Sequence, residues 1–200
     1  MPLQFQYALS TVISSIAALG LGIFVLLKNP RARSNQLWFA FNVTIAGWAT
    51  LQSLYVSVIY DAGLADLLLR LSYAWGVVWI PTFFLHFVLV YLNRVRRLPL
   101  YFAYGFSFVH FILVPSHWFL APAQPKFSLS FYAEPGPLWY SFFLCWSALV
   151  LYAMREIYLA MRSSQGTRKN QLRYFFYAMC IGYSGGMSNF LPVLDIEWFP

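Results

Sequence analysis

The 200-residue sequence is 60% hydrophobic and 21% aromatic, only 10% of it is charged, and its mean hydropathy is +0.62. Soluble domains carry about a quarter of their residues as charged ones, so this chain cannot cover a soluble globule with polar groups and reads as a multi-spanning membrane protein. The formal net charge of +7 sits in short clusters between apolar runs, a placement that membrane topology explains and nucleic-acid binding does not.

The pattern predicts one all-α, polytopic membrane domain over residues 1–200, with six transmembrane helices near 8–27, 36–60, 67–92, 100–120, 138–161 and 171–193. At 1.5 Å per residue, about 20 residues cross the roughly 30 Å hydrocarbon core. The first apolar run, Ala8 to Leu27, exceeds a signal-peptide core and has no cleavage pattern after it, so a retained span is expected. Its Ser14, Ala18 and Gly22 recur every four residues, a face for close helix approach.

The second span carries Asn42, Thr44, Thr50 and Gln52, which should look into the bundle because polar groups in lipid need partners. The third has Arg70 near its start and Pro81 at its middle, where a lost backbone hydrogen bond should kink it. His110 and His117, seven apart, should share a face of the fourth. Between the fourth and fifth spans, Phe127, Leu129 and Phe131 alternate with Ser128, Ser130 and Tyr132, a period of two that predicts a strand or hairpin.

Charge sets the orientation. Lys28, Arg31 and Arg33, then Arg94, Arg96 and Arg97, then Arg162, Arg168 and Lys169 fill the odd loops. The even loops hold one base, Lys126, against Asp61, Asp66 and Glu134. The positive-inside rule therefore places the odd loops in the cytoplasm and the N-terminus outside, as for a multi-pass membrane protein.

Three stretches carry a resemblance. They are LGIFVLLKNPRARSNQLWFAFNVTIAGWATLQSLY, WIPTFFLHFVLVYLNR and, most specifically, RKNQLRYFFYAMCIGYSGGMSNFLPVLDI. Together they resemble the N-terminal seven-transmembrane sensor region of bacterial histidine kinases. The resemblance implies signal transduction from the outer face or the membrane to a cytoplasmic kinase or diguanylate cyclase. It also implies a homodimer formed through that output domain, with a seventh span and output expected beyond Pro200; the alternative is a stand-alone relative that lacks them. A small permease or channel subunit, with Asn42, Gln52, Thr82 and Asn189 along a path, is the competing reading.

Candidate sites each have a plain structural alternative. Arg70 is a cation for an anionic ligand or a side chain snorkelling to headgroups. Trp75 and Trp79, four apart, wall a flat pocket or simply pack. Asn189 belongs to an outward ligand pocket or caps helix carbonyls, and Pro192 ends that helix. Pro81, Gly182, Gly185 and Gly186 are candidate hinge or close-packing positions. His86 reads as a packing residue that can titrate near neutrality. Tyr60, Trp118, Trp139, Tyr140 and Trp198 read as interfacial anchors. No catalytic motif is present, no metal-ligand spacing occurs, and no cofactor is implied. The partners expected are the lipid bilayer and a small-molecule or membrane stimulus.

Overall fold

The computed structural model describes residues 3–197. Its helices form six rods: α1 (Leu3–Lys28), α2 (Arg33–Ser57), a composite third rod, α5 (Arg97–Leu113), α6 (Pro137–Ser163) and α7 (Gly166–Ser188). The composite rod consists of α3 (Ala62–Ser72), a π turn (Tyr73–Val77) and α4 (Ile80–Tyr91). The hairpin expected between α5 and α6 is present as antiparallel β1 (Leu120–Lys126) and β2 (Leu129–Pro135). Two register shifts break its alternation, so Tyr132 and Ala133 are buried together while Phe127 stays exposed. Of the rods, α1, α3–α4 and α6 are each long and apolar enough to cross a membrane.

A stripe of small residues explains how α1 sits on α2. Ala8, Thr11, Ser15 and Gly22 follow helical spacing and are buried, which lets the two backbones approach. A Cβ at Gly22 would lie 2.9 Å from the Asn42 Cβ. Ser15 Oγ donates to the Ala46 carbonyl at 3.1 Å, and Ser53 Oγ donates to the Ala8 carbonyl at 3.1 Å. The Ser14–Ala18–Gly22 row is thus half right: Gly22 packs, whereas Ser14 is exposed. The opposite side of α1 exposes Ile13 and Ile16, the lipid-facing pattern. Asn42, Thr44 and Gln52 are buried in the bundle as expected, while Thr50 lies on the α1–α2 seam beside Ser15, 2.7 Å between hydroxyls.

The third rod departs from the expected kink. Pro81 stands in the first turn of α4, and the irregularity lies before it, in the π turn. Pro81 has no N–H for the Val77 carbonyl; Trp146 of α6 supplies one from its indole at 2.9 Å. Ser107 of α5 donates to the Val78 carbonyl at 2.8 Å, and Trp79 turns its own indole N–H back to Ala74 at 3.0 Å. Side chains from two neighbouring helices therefore satisfy the backbone where the ladder breaks, as a bilayer interior demands. Gly76 lets α2 close on this turn, since a Cβ there would stand 2.3 Å from the Trp48 Cβ and 2.9 Å from the Thr44 carbonyl.

The fourth rod is shorter than the expected 100–120. Pro115 cannot donate to the helical ladder, and α5 stops at Leu113. His117 consequently lies outside the helix and shares no face with His110, whose Nδ1 lies 2.8 Å from the Phe106 carbonyl oxygen. The sixth rod likewise ends at Ser188, before a turn and the 3₁₀ segment Pro192–Leu194. Trp198, expected as an anchor, lies outside the described residues.

Candidate functional site

Where the hairpin meets the helix ends, four distant parts of the chain converge. Gln52 Nε2 of α2 donates to Tyr7 Oη of α1, and Tyr7 Oη donates to Asn189 Oδ1 at the end of α7. Tyr132 of β2 donates its hydroxyl to the Asn189 backbone carbonyl at 2.7 Å and lies 3.3 Å from the Tyr7 hydroxyl. Tyr132 and Gln52 are buried, and burial pushes the Tyr132 phenol well above its ordinary range, which keeps it a protonated donor. Asn189 also caps α7, its Nδ2 donating to Gly185 at 3.3 Å and Gly186 at 3.2 Å. Asn189 is thus a cap, the structural alternative read from sequence, and its other bonds join it to Tyr7 and Tyr132.

A second tie holds the same end of α7. Lys126 at the tip of β1 is buried, and its ammonium pairs with Glu134 at 2.8 Å and Asp195 at 2.8 Å. It also donates to the Val193 carbonyl at 3.2 Å. Asp195 has φ +57°, the turn that brings its carboxylate back to the hairpin.

Below this junction lies a cavity of about 790 Å³ bounded by α1, α2, the π turn, α7 and the hairpin. Its α2 wall runs from Trp38 through Asn42 and Gln52 to Tyr55. The volume falls within the range of small-molecule sites, and among the described residues no charged side chain lines it.

Of the other residues selected from sequence, Asn42, Gln52, Gly182, Gly185 and Gly186 share this cavity with Asn189, whereas Arg70, Trp75, Trp79 and Thr82 do not. Arg70 is consumed structurally: it pairs with Asp66 at 2.7 Å and donates to the carbonyls of Val114 and Leu120, each at 2.8 Å. It thus ties off the end of α5 and the start of the hairpin. Trp75 is exposed, and Trp79 packs against Phe83 and Phe111 while bonding its own helix. Thr82 is buried between α4 and α5, donating to Ala103 at 2.9 Å, away from Asn42, Gln52 and Asn189. Gly182, Gly185 and Gly186 would each carry a Cβ with nothing within 4 Å, so this row packs against no helix among the described residues. Pro192 opens the 3₁₀ turn, as a helix-ending residue should. Sequence reading missed Tyr7, Tyr132 and Gly76; their partners lie far along the chain, and no local pattern marks them.

A family model described as the N-terminal 7TM region of histidine kinase matches residues 10–200. The chain belongs to this family. The sensor region matches no curated protein and no solved structure. Family membership together with three membrane-competent rods makes it a membrane protein and the sensor part of a histidine kinase.

In the sensor region α7 is held unevenly. Leu172 is the buried residue within the helix itself, whereas its far end is fastened through Asn189, Val193 and Asp195. At its basic end Arg168 reaches the exposed Tyr91 hydroxyl at 2.9 Å and lies 4.5 Å from that ring.

Proposed function

We propose that the sensor region crosses the bacterial inner membrane six times, N-terminus outside, and relays an outer-face or intramembrane stimulus to a cytoplasmic histidine kinase. The six rods are α1, α2, α3–α4, α5, α6 and α7, and a seventh span beyond Pro200 belongs to the same proposal. Orientation rests on the basic loops: Arg31, Arg94, Arg96 and Arg168 share one end of the rods, and the hairpin with Glu134 occupies the other. The output domain pairs two copies of the chain as a homodimer.

The observation that carries the reading is the junction of Tyr7, Gln52, Tyr132 and Asn189. It joins α1, α2, the hairpin and α7 at the proposed outer end, so a small molecule or membrane change acting there biases two packings of the bundle. The α7 rod then carries that bias to the cytoplasmic side.

Single cysteines at Ala32, Ser128 and Gln165, placed in a chain with Cys145 and Cys180 replaced by serine, test the orientation. A membrane-impermeant maleimide should label Ser128→Cys in intact cells, and Ala32→Cys and Gln165→Cys only after permeabilisation. Labelling of Ala32→Cys from outside would refute the relay as stated. Solute flux through liposomes holding the protein should be no higher than through empty ones; flux would favour a permease.

A further inference from the structure

The hydrogen bonds of the junction fix which way Gln52 faces. Tyr7 and Tyr132 each have one hydroxyl proton, and each gives it to Asn189, the first to Oδ1 and the second to the backbone carbonyl. Both hydroxyls can then only accept from Gln52, which turns its Nε2 toward them and reaches Tyr132 at 3.4 Å. Its Oε1 is thereby turned away from them. Ten residues earlier on α2, Asn42 gives its Nδ2 to the Trp38 carbonyl at 2.7 Å, which orients its Oδ1 in the same manner.

Gln52 and Asn42 are 3% and 4% exposed, and both line the cavity. Their carboxamide oxygens have no hydrogen-bond partner among the described residues, yet, unlike the Tyr183 hydroxyl, they are not sealed off by their neighbours. An acceptor so placed is incomplete until an occupant brings it a donor. Around the two oxygens the lining is largely aromatic, including Phe41, Trp48, Tyr55, Tyr73 and Trp146, and among the described residues it holds no charged side chain. Aromatic walls favour a flat molecule, and an ionised one would be buried there without a partner.

We propose that the cavity binds an uncharged aromatic molecule bearing an N–H or O–H donor, an indole or a phenol, with Asn42 Oδ1 and Gln52 Oε1 as its acceptors. At 1.5 Å per residue the two positions stand about 15 Å apart along α2, so a small occupant meets one oxygen and a longer one with a donor at each end meets both. A donor on Gln52 acts on the same amide that holds Tyr7 and Tyr132. A seventh span beside α1 and α7 closes the cavity on that side and leaves the α2 wall in place. The role of such a molecule as the stimulus rests on the proposed relay, whereas its binding is read without kinase output, so the two fail separately.

The test photolabels the natural full-length protein, in vesicles of phosphatidylethanolamine and phosphatidylglycerol, with an azidoindole. Labelling should map to the cavity wall on α2, and unlabelled indole should compete it away. N-methylindole keeps the flat ring without the donor and should compete about tenfold less well. Tryptamine, an indole with an ammonium group, should also compete about tenfold less well. Asn42→Leu keeps the side-chain volume and removes one acceptor, so the gap between indole and N-methylindole should narrow; in Asn42→Leu/Gln52→Leu, folded by its unfolding curve, it should vanish. Where the double variant does not fold, the wild-type comparison of indole with N-methylindole decides. Equal competition by N-methylindole or by tryptamine would overturn the proposal. So would a full-length protein that indole does not protect from labelling, as when a seventh span fills the space, or a tenfold gap that survives loss of both oxygens.

Discussion

Trp146 donates its indole N–H to the Val77 carbonyl at 2.9 Å, the acceptor that Pro81, four residues on, cannot serve. The broken turn of the third rod is thereby fastened to α6. Trp146→Phe keeps the ring and removes the donor, and should lower stability by about 1–2 kcal/mol. Pro81→Ala returns a backbone donor to the Val77 carbonyl, so the same substitution should cost less in that background. Unfolding of the four variants in mixed detergent micelles gives the coupling directly.

The two kinds of glycine in this chain should behave oppositely. Gly76→Ala puts a methyl 2.3 Å from the Trp48 Cβ and 2.8 Å from its Cα, and should destabilise the fold by about 1–3 kcal/mol through overpacking. Gly182→Ala meets nothing within 4 Å and should leave stability unchanged or slightly raised, since alanine favours a helix. Thermal unfolding of the purified variants checks both.

Glu156 is the acid buried in α6, 1% exposed, with Arg94 bonded to it from the end of the third rod and Arg155 at 3.4 Å. Glu156→Leu removes the partner that holds Arg94 against α6. The expected loss is about 3 kcal/mol, the low end for breaking a buried pair, because Arg94 is close enough to the surface to recover water. Unfolding in mixed micelles measures it.

Lys126 gathers Glu134, Asp195 and the Val193 carbonyl around one buried ammonium. Lys126→Met keeps the stem and removes the charge. Amide exchange from Phe190 to Asp195 should then quicken by about tenfold or more as the end of α7 loosens, while exchange in α2 stays as it was. Exchange read by mass spectrometry resolves the two regions.

Much of this architecture was legible in the sequence, because it rests on local signals. Apolar length marks the rods, basic clusters mark one end, and the alternation at Phe127–Tyr132 marks the hairpin. The end of α5 was misplaced because apolar composition continues past Pro115 to Leu120, and only the missing N–H of Pro115 stops the helix. The π turn was illegible for a different reason: it persists because Trp146 and Ser107, each at least 29 residues away in sequence, satisfy its carbonyls. The same holds for the junction. Asn189 stood out locally, but its partners Tyr7, Gln52 and Tyr132 reach it only through the fold. Arg70 read from sequence either as a side chain snorkelling to headgroups or as a cation for an anionic ligand. Its partners in the fold are Asp66 and the carbonyls of Val114 and Leu120, and apart from Asp66 they lie too far off along the chain to be seen there.

The relay through the junction is most directly tested by autophosphorylation of the natural full-length protein in liposomes, comparing wild type with Asn189→Ala and Tyr132→Phe. Each substitution removes a junction bond to the end of α7, leaving the Lys126 tie and the basic end in place. The account predicts that each changes the autophosphorylation rate by about fivefold or more, with the protein still folded by its unfolding curve. Folded variants that phosphorylate at the wild-type rate would contradict it.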